Sequence, residues 1–327
     1  MPSLPTLPIP RISVALCVHN AGRFLAPQLD SLLAQEGVEL EIVALDDCST
    51  DRSLAILHEY AARDPRIRVY ANEENLGYLK SFDACMALCT ASLIAPCDHD
   101  DVWHPSKLAT LAAAIGYSDL AYCDSEYIDE DGKVLGGRVS DDLKAMHHGR
   151  AVLPYVFQNT ASGHAMLVRR ELFELARPFP PMLFHDWWLA MRAAANGGVV
   201  YVDRPLVQFR RHGDAYSALG KEKVKRRKAH SRNRKWVEQR LYVFDHLASS
   251  GGSESTKALG LEWHRAFHEA MEGRGFLLAK LIWRHRAVVP PWHGPRWWAA
   301  VRCYLRCRNK IRLSRDEPEV ASAEVFR

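Results

Sequence analysis

No Gly-x-Gly-x-x-Gly follows the first strand-like segment of this chain, and no Gly-Lys-Ser/Thr loop occurs anywhere in it. The first absence excludes a nicotinamide-type dinucleotide site and the second a P-loop, because both close backbone amides around phosphates at a glycine turn. No uncharged apolar run approaches the roughly 18 residues of a membrane span, so no transmembrane helix is expected. Residues 1–10 are proline-rich and lack a charged segment followed by an apolar core, so no signal peptide is expected either. Eight cysteines are scattered along the chain, and Cys85/Cys89 and Cys303/Cys307 fall at helical i,i+4 spacing without the partners of a zinc site. Reduced thiols in a cytoplasmic protein are the expectation.

What remains is an ordinary globular composition, with 48% hydrophobic and 25% charged residues over 327 positions and a formal net charge of +4. That length supports a large core, read here as one large domain plus an appendage. Residues 12–18 form a continuous apolar strand, followed by a helix carrying Phe24, Leu25, Leu29, Leu32 and Leu33. Residues 41–45 form a second strand ending in Asp46-Asp47, and Ser49-Thr50-Asp51 then caps a helix. A strand over 67–70, a helix over 77–89, a strand over 92–97, a helix over 105–115 and a strand over 120–123 continue the alternation. The pattern predicts an α/β fold with a mostly parallel sheet flanked by helices. In such sheets ligands bind beyond the carboxyl ends of the strands. His19-Asn20, Asp46-Asp47 and the run Asp98-His99-Asp100-Asp101 all lie at those ends, so three polar clusters converge on one rim.

The Asp98 run is the most informative. Three carboxylates leave the end of a buried strand into a tight turn, which is costly unless a cation neutralises them. Hard oxygen ligands on an open turn suit Mg²⁺ or Mn²⁺ shared with substrate phosphates. The alternative is a solvated acidic turn in which Asp101 caps the helix near Pro105. Asp46-Asp47 carries two readings as well: acceptors for a base or ribose, or organisers of the following turn.

The segments around Val18-His19-Asn20, Asp46-Asp47-Cys48-Ser49, Asn75-Leu76-Gly77, Asp98-His99-Asp100-Asp101, His185-Asp186-Trp187-Trp188 and Arg210-Arg211-His212-Gly213-Asp214 resemble family 2 glycosyltransferases of the GT-A fold. The resemblance spans about residues 10–215 in a consistent order. The Asp-x-Asp-Asp-x-Trp and His-Asp-Trp-Trp forms look most like the rhamnosyltransferase branch, which builds bacterial surface polysaccharides. It implies a GT-A domain over residues 1–215 and a basic, tryptophan-containing helical extension over 216–327. It also implies that Asp47 contacts the nucleotide base, with Asn20 and the backbone near His19 shaping the pocket. Asp98 would touch the ribose or a metal-bound water, Asp100 would ligate the cation, and His212 would stand near metal and phosphates. Asp186 matches the general base. Two positions depart from the family: His19 stands where a tyrosine is usual, and His185 precedes the catalytic aspartate where a glutamate is usual.

The implied reaction explains the residue types. Displacing a nucleoside diphosphate develops charge on the leaving group, which a divalent cation stabilises and Arg210 or Arg211 could contact bidentately. A hydroxyl acceptor must lose its proton, so a carboxylate has to face the sugar away from the metal. Asp186, beside Trp187 and Trp188, suits that task; the indole faces and Asn159 would serve the acceptor side. Against this, Asp186 could be a helix N-cap, the tryptophans core residues and His212 a turn histidine. His164 reads as marking a strand beside the sugar rather than as a ligand.

The last third is strongly basic. Residues 221–240 carry ten Lys/Arg against two Glu, and residues 280–312 carry nine basic and no acidic residues, with Trp283, Trp292, Trp297 and Trp298. The first segment reads as a solvated face; basic residues interleaved with tryptophan in the second suit the headgroup region of an anionic membrane, and a peripheral contact at its inner face is expected around residues 277–283. The combined reading is a metal-dependent, inverting glycosyltransferase using a dTDP-, UDP- or GDP-sugar and a glycan or lipid-linked acceptor. The competing classes are an inert nucleotide-sugar binder and a nucleic-acid-binding protein, and no nucleic acid partner is expected.

Overall fold

A computed structural model describes residues 9–211, 226–250, 252–290 and 295–315. His212 and Trp292, named above, lie outside the described residues. Strands β1 (Arg11–Val18), β2 (Glu39–Asp46), β3 (Ile67–Ala71) and β4 (Leu93–Cys97) run parallel in the order β3-β2-β1-β4. Short β5 (Val102–Trp103) follows β4, and the sheet extends through β6 (Leu120–Ile128), β8 (Met166–Arg169) and β9 (Val199–Arg210), in the order β4-β8-β6-β9-β5. The second half is mixed: β8 is antiparallel to β4 and β6, whereas β6 and β9 are parallel. β7 (Val134–Arg138) pairs with β6 as an antiparallel flap. Parallel pairing thus holds through the N-terminal half, where the βα alternation was legible. Antiparallel strands enter where the sequence has no such rhythm.

Alternation along β1 shows why both faces are covered. Ile12, Val14, Leu16 and Val18 pack into one hydrophobic cluster, Ala15 and Cys17 into another. On the first face, α1 (Leu25–Leu33) buries Leu25, Leu29 and Leu32, and α4 (Lys107–Ile115) buries Leu108, Leu111 and Ile115, each a single helical stripe. On the second face, α3 (Tyr78–Leu88) contributes Phe82, Cys85 and Met86, and α8 (His185–Ala195) nearly its whole surface. Also on the first face, α2 (Ser53–Ala61) covers β3. The segment between β7 and β9 adds α5 (Val139–Leu143), α6 (Val152–Phe157) and α7 (Arg170–Ala176).

The C-terminal helices are α9 (Arg226–Ser250), α10 (Glu254–Met271), α11 (Phe276–Arg284) and α12 (Arg296–Arg315). Their inner residues, among them Phe244, Trp263, Phe267, Leu278 and Cys303, belong to the same hydrophobic cluster as α3 and α8. The helical extension is therefore docked onto the second face of the sheet. All eight cysteines are free.

Candidate active site

The ends of β1, β2 and β4 form one rim, as the alternation predicts. Asp47 is buried there and fully engaged. Its Oδ1 accepts from Asn72 Nδ2 (2.8 Å) and the Leu76 amide (2.9 Å), and Oδ2 from the Gly77 amide (3.0 Å). The carboxylate thus ties the loop after β3 to the end of β2, immediately before α3. His19 Nδ1 lies 2.8 Å from the Asp47 carbonyl, and Asn75 approaches the same ring at 3.2 Å. Asn20 adopts a left-handed backbone (φ 48°), and its Oδ1 accepts from the Thr50 amide at 2.8 Å. Asp46 accepts from the Ser49 amide (2.9 Å) through Oδ2, while its buried Oδ1 has no partner among the described residues. The turn after β2 is therefore organised by Asp46, Ser49 and Asn20, leaving Asp47 to order the neighbouring loop.

At the end of β4 the turn carries an unpaired acceptor. Asp101 is fully buried; Oδ1 accepts from the Arg210 amide at 3.0 Å, and Oδ2 has no hydrogen-bond partner among the described residues. It does not cap α4, whose N-cap is Ser106. Asp98, Asp101 and His164 bring one ligand atom each within 4.8 Å of one another, and Asp100 stands outside that group. Burial, then the Asp100 and Asp186 carboxylates, push Asp98 up to about 7, with Lys107 opposing. The same burial and the two neighbouring carboxylates raise Asp101. Burial lowers His164 to about 3, so its imidazole is neutral at pH 7. Massed carboxylates whose charge is disfavoured, a neutral imidazole and an unsatisfied buried oxygen suit a hard divalent cation.

Lys107 lies beneath this turn with no exposed surface. Its Nζ donates to the His164 carbonyl at 2.5 Å and sits 3.0 Å above the Trp103 ring centre. Burial brings it down to about 8. Its signal in the sequence was a lysine one turn before Leu111 on the apolar stripe of α4.

Asp186 stands in the first turn of α8, two residues past the N-cap Phe184, so it is not the cap. Its Oδ2 accepts from the Gly163 amide at 3.2 Å and Oδ1 from the Trp187 amide at 2.5 Å. Burial raises Asp186 to about 6, against the lowering effect of those two amides and the Asn159 side chain. The preceding His185 is stacked on Phe82 (4.1 Å), and its Nδ1 lies 3.1 Å from the Tyr78 hydroxyl. That hydroxyl also accepts from the His185 amide at 3.0 Å. A Cβ on Gly163 would fall 2.8 Å from His185 Nε2, so this position requires glycine. Tyr78 and Gly163 were not read as site residues from the sequence; only the fold brings them to the His185-Asp186 pair.

Other expected residues are placed differently. Trp187 and Trp188 are 7% and 4% exposed, and their indole N–H groups donate to the Tyr155 and Ala176 carbonyls. They anchor α8 in the core rather than lining the open rim. Arg210 is buried, and it donates to the carbonyls of Asp100, Asp129 and Glu130. Its guanidinium holds the acidic turn in shape. Arg211 pairs with Asp142 at 3.0 Å and lies 3.6 Å over the Tyr127 ring.

A curled mixed sheet with polar strand ends on one rim and a buried carboxylate at the start of a facing helix is the GT-A nucleotide-sugar transferase architecture. Solved structures of that class superpose along nearly the whole chain. S. aureus TarS 1–349 in complex with UDP-GlcNAc gives a TM-score of 0.58 at 16% identity, covering 96% of this chain and 95% of that one. The mannosyltransferase PcManGT from Pyrobaculum calidifontis, in complex with GDP-Man and Mn²⁺, gives 0.54 at 17% identity, covering 94% and 88%. Residues 13–175 match the sequence profile of Glycosyl transferase family 2. An uncharacterized glycosyltransferase of Nostoc sp. is 28% identical over 233 residues, 66% of this chain and 70% of the relative. The chain belongs to glycosyl transferase family 2.

Proposed function

We propose that this protein transfers a sugar from a nucleotide-diphosphate donor to a hydroxyl group, with inversion and with a divalent cation, Mg²⁺ or Mn²⁺. The observation that carries this reading is the single turn at Gly163–Ala165. Its Gly163 amide holds Asp186, and the next residue, His164, stands with Asp98 and Asp101. A proton acceptor and a cation site are thereby fixed to one rigid element.

Asp98, Asp101 and His164 would hold the cation, with Asp100 and His212 as the further ligands implied by the family. A divalent cation bound there supplies charge neutralisation to the departing diphosphate. His19, Asn20 and the Asp47-ordered loop over residues 72–77 would receive the base, and Asp98 the ribose. Arg211 is better placed than Arg210 to reach a diphosphate, because its guanidinium lies nearer solvent. Asp186, held near 6, is ionised at pH 7 yet basic enough to accept a proton from a bound hydroxyl. Asn159, hydrogen-bonded to Asp186, would line the acceptor side.

For the sugar we infer rhamnosyl transfer, on the Asp-x-Asp-Asp-x-Trp and His-Asp-Trp-Trp segments. For the acceptor we infer a glycan or lipid-linked precursor of a bacterial surface polysaccharide, presented at a membrane face. Calorimetric titration with UDP, dTDP and GDP, each with and without Mn²⁺, tests the proposal. Metal-dependent binding of one nucleotide is expected, and dTDP would support the rhamnosyl reading. Asp98→Asn should lose that binding, whereas Asp186→Asn should keep it and lose transfer. Equal loss of binding in both variants would refute this division of roles.

A further inference from the structure

We propose that the outer faces of α11 and α12 form a surface by which this protein lies on an anionic lipid bilayer. The two helices pack against each other and turn their apolar inner residues, Leu278, Leu281, Ile282, Cys303, Cys307 and Ile311, into the shared core. Their outer faces are not the polar faces such burial normally leaves. On α11, Phe276, Lys280 and Trp283 recur at i, i+4 and i+7 and are exposed, Phe276 at 83%. On α12, Trp297, Val301 and Leu305 recur at i, i+4 and i+8 and are all exposed, flanked by Trp298, Arg302 and Arg306.

The charge on these faces has one sign. Residues 273–315 include no Asp or Glu. Arg284, at the end of α11, meets a carboxylate, Glu262 of α10, at 2.8 Å. Arg302 and Arg286 instead lie 5.5 and 5.0 Å from the ring centres of Trp298 and Trp283. Guanidinium beside indole, with bare aliphatic groups between, matches the headgroup boundary of a bilayer. There arginine meets lipid phosphate, indole occupies the interface, and valine and leucine reach the acyl region. Nucleic acid would use the arginines and tryptophans but gain nothing from Val301, Leu305 and Phe276. No helix among the described residues is long and apolar enough to cross a membrane, so the contact is peripheral.

The surface is also linked to the site. Lys310 of α12 donates to Asn233 of α9 at 3.3 Å, and Arg240 of α9 lies 4.9 Å from the Trp187 ring centre, next to Asp186. The surface does not depend on the glycosyl-transfer chemistry.

The test is vesicle flotation of the full chain with phosphatidylcholine alone and with added phosphatidylglycerol, at low salt and at high salt. Flotation is expected only with phosphatidylglycerol at low salt, with a blue shift of tryptophan emission. R302E/R306E should weaken it by at least tenfold, since each basic residue near an anionic surface contributes roughly fivefold. W297A/W298A should shrink the emission shift to the part that Trp283 contributes. Failure of the wild type to float, or wild-type flotation by R302E/R306E, overturns the proposal. So does tighter binding to duplex DNA than to the vesicles, or a dimer that W297A/W298A disperses. Nucleotide titration of the same preparation separates this failure from failure of the donor-site reading.

Discussion

Asp186 can accept a proton only when ionised, and its folded value near 6 places that requirement inside the accessible pH range. Turnover should therefore be flat above about pH 7 and fall about tenfold per unit below about pH 6, read as a kcat profile at saturating donor. Asp186→Asn should lower kcat by roughly 10² to 10⁴ at pH 7 and abolish this limb, with donor affinity unchanged. A neighbouring residue tests the geometry. Gly163→Ala would push a methyl group against His185 Nε2 and shift the turn that carries both the Asp186 bond and His164. A loss of kcat of similar size, with near-normal secondary structure by circular dichroism, is expected. Asp98 and Asp100 could be picked out in the sequence because carboxylates are expensive to mass at strand ends, and Asp186 because its segment resembles the family's catalytic turn. The linking partners could not. A glycine, a histidine and Tyr78 carry no local sign that their backbones and rings converge from three different elements.

At the scale of elements, the ends of β2 and β4 are fixed by polar groups of other segments. The opposite end of the parallel strands shows the same device. Glu41 on β2 is hydrogen-bonded by Ser13 of β1 and by the Thr90 amide and hydroxyl, and pairs with Arg68 of β3 at 2.7 Å. Burial alone would raise Glu41, but these donors hold it below its ordinary value. A carboxylate depressed on folding stabilises the fold above its unfolded pKa and loses that contribution as pH falls through the folded one. Glu41→Gln should therefore destabilise the protein by about 1–3 kcal/mol at pH 7. The difference from wild type in thermal or urea unfolding should shrink toward pH 3. The βα alternation was readable because apolar strand runs and amphipathic helices repeat along residues 12–115. The short β5 and the full length of β6 were not, since both pair with β9, which arrives from far along the chain.

At the scale of the whole molecule, the C-terminal helices share one hydrophobic core with the second face of the sheet. Trp263 of α10 is fully buried, with its ring 5.6 Å from Phe244 of α9 and 5.6 Å from Phe157 of α6. Gly260 brings α10 against the backbone of α9, where a Cβ would meet the Phe244 carbonyl at 2.7 Å. Trp263→Ala should cost about 3–5 kcal/mol and move a single cooperative transition, seen alike by near- and far-ultraviolet circular dichroism. Two separate transitions would show that the extension unfolds on its own. Composition and periodicity by themselves determined the class of fold, the polar rim and the basic character of the last third, because these follow from local patterning. Tertiary structure decided which polar groups become a site. Burial converted the two tryptophans after Asp186 into anchors and Arg210 into a brace. It also joined Asp98 to Asp101 and His164, since hydrogen bonding and desolvation depend on neighbours that sequence distance conceals.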